Sequence, residues 1–154
     1  MTIYTISIGS EARVASSSVS DALYNVDWFI LPENKSFKVG FSFVSTTVNI
    51  TSLTSIPLLQ VNLGDADTYR ISTVGTTYAI NSSTIGLLTP LTLSSTTFLR
   101  GEANANNKVY LRTRPRNNIL NVGLFTPTGV FWVDNVGAPV PSYVLVLTFE
   151  TIDD

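Results

Sequence analysis

The dominant pattern along the chain is an alternation of apolar and polar residues with a period of two. In the clearest run, Phe37, Val39, Phe41 and Phe43 are separated by lysine, glycine and serine. Successive side chains of a strand point to opposite faces, so this run predicts a strand with one buried face. Three further runs follow the same rule, at residues 59–63, 109–114 and 120–124.

The last apolar run, residues 143–152, differs because it begins with apolar residues on both faces. Such a run predicts a strand that is covered on both sides. Segments rich in Gly, Pro, Asn and Asp separate the runs, and they predict turns. The turn segments are residues 32–34, 64–67, 101–107, 115–118, 127–129 and 137–141.

This spacing predicts an all-β chain of about eight to ten antiparallel strands. Only residues 11–24 could form a short helical turn, and three consecutive serines weaken even that expectation. No linker, repeat or charge block divides residues 1–154. The expected architecture is therefore a single β-sandwich domain, most closely a jelly roll.

The composition adds an expectation about the surface, namely that it packs against other protein. Charged residues make up only 13% of the chain, against roughly 25% in an ordinary soluble domain. Ser, Thr and Asn supply the remaining polarity, and such a surface costs less to desolvate than a charged one. We therefore expect a homo-oligomer or assembly with other proteins, while a plain monomeric sandwich remains the alternative.

Net charge and segment lengths narrow the classes of partner. The formal net charge of −2 argues against a dedicated nucleic-acid-binding protein, which normally needs a basic balance. No apolar run approaches the ~18 residues of a membrane-spanning helix. The chain has no cysteine, so a reducing compartment is expected, although bacterial secretion would also permit this composition.

Catalysis is not expected, and neither is a cofactor or a metal site. The chain contains no histidine and no cysteine, which removes the usual catalytic triads, thiolate nucleophiles and zinc ligands. Asp65 and Asp67 are a close carboxylate pair that could hold a cation on a turn, but a solvated turn between two strands is the interpretation we prefer. Asp27 lies beside a tryptophan, as in some glycosidases, yet no second acid stands out as its partner.

Basic residues cluster in one part of the chain, where Glu102 is the only acid between positions 100 and 116. The cluster consists of Arg100, Lys108, Arg112, Arg114 and Arg116. By alternation, Arg112 and Arg114 are expected to share the strand face opposite Val109 and Leu111. One interpretation is a docking patch for an acidic partner. The other is a solvated face whose arginines pair with local acids.

The two tryptophans, Trp28 and Trp132, also allow two interpretations. Either ring could anchor an interface or form a platform on which a sugar stacks. Alternatively, both cover the ends of the hydrophobic core.

Several segments of this sequence resemble a known family. They are Asn25–Trp28 with Leu31 and Pro32, then residues 37–43, 57–63, 109–122 and 143–150. Together they are similar to small jelly-roll minor capsid proteins of large icosahedral double-stranded DNA viruses of algae and protists. The resemblance implies a penton, cap or cement subunit, without catalysis, in a virion that is assembled in the host cytoplasm. Its expected partners are other copies of itself, in a trimer or a pentamer, or other capsid proteins. It implies no particular functional residues.

Jelly rolls also serve as receptor-binding or glycan-binding heads, so the fold alone does not decide the function. A sugar stacked on Trp28 or Trp132 would be the sign of that alternative. A carboxylate hydrolase would need two acids facing each other across a cleft.

Overall fold

The computed structural model describes residues 2–50, 57–63, 84–93, 96–103, 108–126 and 130–152. Its strands are β1 Ile3–Gly9, β2 Asp21–Asn25, β3 Ser36–Ser45, β4 Leu58–Leu63, β5 Thr84–Leu87, β6 Thr89–Leu93, β7 Thr96–Glu102, β8 Val109–Leu111, β9 Ile119–Phe125 and β10 Tyr143–Ile152. Two 3₁₀ turns, Ser10–Ala12 and Trp28–Ile30, precede β2 and β3. The first lies in the region where the sequence allowed a short helical turn.

The strands form two antiparallel sheets. The six-stranded sheet has the order β1-β10-β3-β7-β6, and β8 also pairs with β3. The four-stranded sheet has the order β2-β9-β4-β5. This arrangement confirms the prediction of an all-β sandwich of about eight to ten antiparallel strands.

The strands β7 and β8 divide one edge of β3 between them. Residues 42–44 of β3 pair with β7, and residues 37–39 pair with β8. On its other edge β3 pairs with β10 along its whole length, from Ser36 opposite Ile152 to Ser45 opposite Tyr143. Both β3 and β10 are therefore interior strands of the six-stranded sheet.

The hydrophobic core lies between the two sheets, and aromatic rings fill its centre. Phe37 and Phe149 are fully buried, and their ring centroids lie 6.3 Å apart in an edge-to-face arrangement. Trp28 packs against Phe149 at 5.9 Å. The inward faces predicted from the alternation are confirmed, because their apolar members are all buried: Phe37, Val39, Phe41, Phe43, Leu59, Val61, Leu63, Val109, Leu111, Leu120, Val122 and Leu124.

Two details of the sequence interpretation are wrong. The strand expected over residues 109–114 ends at Leu111, because Leu111 pairs with Phe37 and its partner strand β3 begins only one residue earlier, at Ser36. The strand β10 is not covered on both sides, since Val144 on the outer face is 47% exposed. Its apolar character reflects its central position in the sheet rather than a second covering layer.

Candidate functional site

Among the residues that the structure describes, ion pairs join three of the clustered basic residues to acids of the same chain. Arg100 Nη2 lies 2.8 Å from Glu102 Oε1, and both side chains are about half exposed. Lys108 Nζ lies 3.3 Å from Glu150 Oε2 on β10. These contacts match the interpretation in which the cluster pairs with local acids, and they neutralise much of the charge that a docking patch would present.

Arg114 makes three contacts with the segment that precedes β3. Its Nη1 donates to the backbone carbonyl of Leu31 at 3.0 Å, and its Nη2 donates to Glu33 Oε1 at 2.7 Å. The guanidinium also lies over the ring of Phe29, 4.9 Å from its centroid. Arg114 therefore fixes the segment 29–33 to the end of the sheet.

The predicted face shared by Arg112 and Arg114 does not exist as a strand face, because β8 ends before both residues. The backbone carbonyl of Arg112 accepts a hydrogen bond from Ser36 Oγ at 2.9 Å. Arg112 and Arg116 both make interactions in the protein. Docking of a partner on the cluster remains a prediction. The charges of Arg100, Lys108 and Arg114 are already paired with acids of the same chain.

Neither tryptophan presents a platform to solvent. Trp28 and Trp132 are each 2% exposed, which corrects the interpretation of either ring as a sugar or partner platform. Both belong to the hydrophobic core, as in the alternative interpretation. The Trp28 ring packs on Phe149 in the core, with its Nε1 buried and unpaired.

Beside each of the two tryptophans lies a phenylalanine that is exposed. Phe29 is 72% exposed and Phe131 is 45% exposed. Sequence reasoning chose the larger ring in each pair and so missed these residues. For Phe131 and Trp132 the signal was the pairing itself, because adjacent residues in extended backbone point in opposite directions. Trp28 and Phe29 lie in a 3₁₀ turn, where this alternation does not apply.

Phe131 belongs to a group of exposed apolar residues in the loop between β9 and β10. We call this group the loop patch, and it consists of Val130, Phe131, Val133 and Val136. Phe131 stacks on Phe125 with ring centroids 5.0 Å apart. Isolated exposed apolar residues are ordinary, but several in one loop commonly mark an interaction site.

Asp134 holds this loop in one conformation. Its Oδ1 accepts the backbone N–H groups of Val136 and Ala138, each at 3.0 Å, and its Oδ2 accepts that of Asn49 at 3.1 Å. Gly137, with φ of +80°, completes the turn in a backbone region that favours glycine. The loop patch is thus preorganised rather than collapsed onto the sheet.

The same hydrogen bonds change the acidity of Asp134. Burial acts to raise its pKa, but the donations from Ala138, Asn49 and Val136 outweigh it and hold the pKa below its usual value. Each of these bonds favours the ionised carboxylate, so the carboxylate form is the one that organises the loop.

A buried pair of tyrosines joins the two sheets. The hydroxyl of Tyr24 on β2 lies 2.7 Å from that of Tyr143 on β10, and either can donate. Burial raises the pKa of Tyr24, and the bond to Tyr143 offsets part of that rise. Burial, followed by the bond to Tyr24, raises the pKa of Tyr143 well above its usual range. Ser10 Oγ satisfies the buried N–H of Tyr143 at 3.0 Å.

A cavity of about 360 Å³ lies between β1 and β2. Its lining includes Ile6, Ile8, Tyr24 and Val26, with Asp27 at one side. The Oδ1 atom of Asp27 accepts the backbone N–H of Phe29 at 3.0 Å, so this carboxylate caps the second 3₁₀ turn. Among the described residues, no second acid lines the cavity beside it.

Metal-binding chemistry finds no support in the part of the chain that the structure covers. Across those residues, no group of three or more acidic, His or Cys side chains could hold an ion. The pair Asp65 and Asp67 lies outside the described residues. None of the described helices is long and apolar enough to cross a membrane.

Comparison with known proteins gives no match: no protein-family model fits the chain, and no curated protein is significantly similar to it in sequence.

Proposed function

We propose that this protein is a non-enzymatic structural subunit, a minor capsid protein that packs against itself or neighbouring capsid proteins in an icosahedral virion. The observation that carries the proposal is the loop patch, whose four apolar side chains are exposed. Asp134 accepts the backbone N–H groups of Val136 and Ala138, while backbone hydrogen bonds to Leu124 and Thr126 hold residues 130–132. A rigid apolar surface binds a partner at lower entropic cost than a flexible one.

The order of the strands supports the proposal. Strands β1, β10, β3 and β8 lie side by side in one sheet, and β2, β9, β4 and β5 lie side by side in the other. Two interlocked four-stranded sets of this kind are the plan of a jelly roll, the fold implied by the resemblance to minor capsid proteins. In that plan β6 and β7 form an additional hairpin on one sheet.

The charge distribution also favours packing against other proteins. Arg100, Lys108 and Arg114 are each paired within the chain, so a partner need not supply an acid for any of them. A weakly charged surface of this kind loses little solvation free energy when it is buried.

The proposal is tested by comparing two double variants of the purified protein. In the first, Phe131→Ser and Val136→Ser make the loop patch polar. In the matched control, Val44→Thr and Val144→Thr change two exposed, cross-strand neighbours on the outer face of the six-stranded sheet. Native mass spectrometry and sedimentation at micromolar concentration then report the assembly.

We expect the wild type and the control to form a closed trimer or pentamer, and the loop-patch variant to lose it with an unchanged melting temperature. A wild type that remains monomeric, or a trimer or pentamer that survives in the loop-patch variant, would contradict the proposal. A monomer that binds glycans through Phe131 would instead support a glycan-binding head, the alternative function.

A further inference from the structure

The strand β1 is the one long sheet edge among the described strands that carries no protection. At the opposite edge of the same sheet, β6 contains Pro90, and in the other sheet β5 has only four residues. The edge of β2 is covered, because Val14 N–H donates to the Leu23 carbonyl at 2.7 Å and Ser17 Oγ accepts the Leu23 N–H at 3.1 Å. Proteins usually protect edges by such means.

β1 has seven residues without a charge, a proline or a bulge. Its pairing with β10 shows which backbone groups are unused. The N–H of Thr151 donates to the carbonyl of Thr2 at 3.0 Å, and hydrogen-bonded pairs alternate along an antiparallel ladder. Residues 4, 6 and 8 therefore pair with β10, while Ile3, Thr5 and Ser7 direct their N–H and carbonyl groups away from the sheet.

We propose that this edge pairs with β1 of a second copy of the chain, antiparallel and centred on Thr5. In that register Ile3 lies opposite Ser7 of the second copy, and Thr5 lies opposite its own counterpart. Each of these pairs exchanges two backbone hydrogen bonds. The two six-stranded sheets then become one continuous sheet across a two-fold axis.

The side chains of β1 favour a second copy over an unrelated partner because the strand is complementary to itself. On the outer face the central pair is Thr5 with Thr5, and on the inner face Tyr4 lies opposite Ile6 of the second copy. Threonine pairs and aromatic pairs with β-branched residues are favourable neighbours across strands. No like charges meet, because β1 contains none.

The burial of β1 agrees with this register. Tyr4 and Ile6 pack against the core yet remain only partly buried, and Ile6 lines the cavity between β1 and β2. Tyr4 of the second copy, opposite Ile6, would lie at the mouth of that cavity. The pairing thus covers partly exposed apolar side chains as well as unpaired backbone groups.

The sharpest test exploits the pair of Thr5 residues that meet at the two-fold axis. Thr5→Lys and Thr5→Glu each place like charges opposite each other in the dimer, which destabilises it. Both are placed in the variant with Phe131→Ser and Val136→Ser, which removes the loop-patch contact. Each should then be monomeric by sedimentation at concentrations where that parent variant dimerises, and an equimolar mixture should restore a dimer. Thr5→Val, which keeps the backbone N–H and the branched side chain, is the matched control and should dimerise.

Hydrogen exchange gives a second readout that a merely structural role of β1 would not move. The amides of Ile3, Thr5 and Ser7 should become protected as protein concentration rises, while those of Tyr4 and Ile6 stay protected throughout. Fast exchange of the three amides at every concentration would overturn the proposal, as would a mixture of the charged variants that remains monomeric.

This inference rests on β1 alone and not on the loop patch. The variant with Phe131→Ser and Val136→Ser should keep the β1 dimer, and Thr5→Lys should keep any contact made by the loop patch. Failure of one proposal therefore leaves the other distinguishable.

Discussion

At the scale of single residues, several buried polar groups of the described chain are satisfied by specific partners, although Trp28 Nε1 is buried without one. Tyr143 is the best example, because its hydroxyl meets Tyr24 and its backbone N–H meets Ser10 Oγ. Ser45 works in the same way, accepting the N–H of Leu99 at 2.8 Å and donating to the carbonyl of Thr46. Such bonds matter chiefly because an unpaired buried group is expensive.

The tyrosine pair gives a direct prediction about stability. Tyr24→Phe leaves the buried hydroxyl of Tyr143 without its partner, so the free energy of unfolding should fall by about 1–3 kcal/mol. The double variant Tyr24→Phe with Tyr143→Phe removes both hydroxyls and should be more stable than the single variant. Urea unfolding of the wild type and both variants measures this difference. A double variant that is less stable than either single one would refute the interpretation.

At the scale of elements, contacts between side chains and backbone fix the segments that connect the strands. Asp27 caps the 3₁₀ turn before β3, and Arg114 holds the same segment from the far side through the Leu31 carbonyl. Asn34, with φ of +59°, makes the turn that leads into β3, in a backbone region that asparagine tolerates better than most residues. This connection is therefore held at both ends.

The contribution of the Arg114 contacts to stability can be distinguished from that of an ordinary surface ion pair. Arg114→Ala removes a charged donor from the Leu31 carbonyl and should lower the free energy of unfolding by about 1.5–3 kcal/mol. The matched control is Arg100→Ala, because its ion pair with Glu102 is exposed on both sides and is worth about 0–1 kcal/mol. Chemical denaturation measures both, and limited proteolysis within residues 28–33 reports loosening of the segment. Equal effects of the two substitutions would contradict the role given to Arg114.

The strands of the core could be predicted from the sequence because burial imposes a period of two. Residues 37–43 show this clearly, and each expected inward side chain is buried. The contacts of the Arg114 side chain could not be predicted in the same way, since its partners Leu31 and Glu33 are more than 80 positions away. Alternation within a strand carries no information about contacts that only the packed sheets create.

The exposed surfaces were the least predictable part of the candidate site. Phe29 and Trp28 are adjacent aromatic residues, and the sequence does not state which one faces the core. The anchoring of the loop patch by Asp134 depends on Asn49, which belongs to a distant connection after β3. Polar networks of this kind are defined by three-dimensional proximity, so a single sequence without its structure leaves them open.

At the scale of the whole molecule, the protein combines a weakly charged sandwich with two surfaces that could bind a partner. The loop patch exposes apolar side chains, and β1 exposes backbone donors and acceptors. The two surfaces differ physically, because burial of apolar area and formation of a β-ladder respond to different substitutions. If both proposed contacts form, one would close an oligomer and the other would join one oligomer to the next.

The titrating groups of the whole molecule predict a broad plateau of stability between an acid limb and an alkaline limb. Between pH 5 and 8 stability should be flat, because the chain has no histidine.

The pKa of Asp134 is lowered in the folded protein, so its contribution is present at neutral pH and is lost as pH falls below about 4. The pKa values of Tyr24 and Tyr143 are raised, so their contribution is lost as pH rises above about 10. Thermal melting across this range measures the profile. Asp134→Asn should weaken the acid limb alone, and Tyr24→Phe with Tyr143→Phe the alkaline limb alone. A steep slope near neutrality, or identical profiles for the two variants, would contradict this assignment.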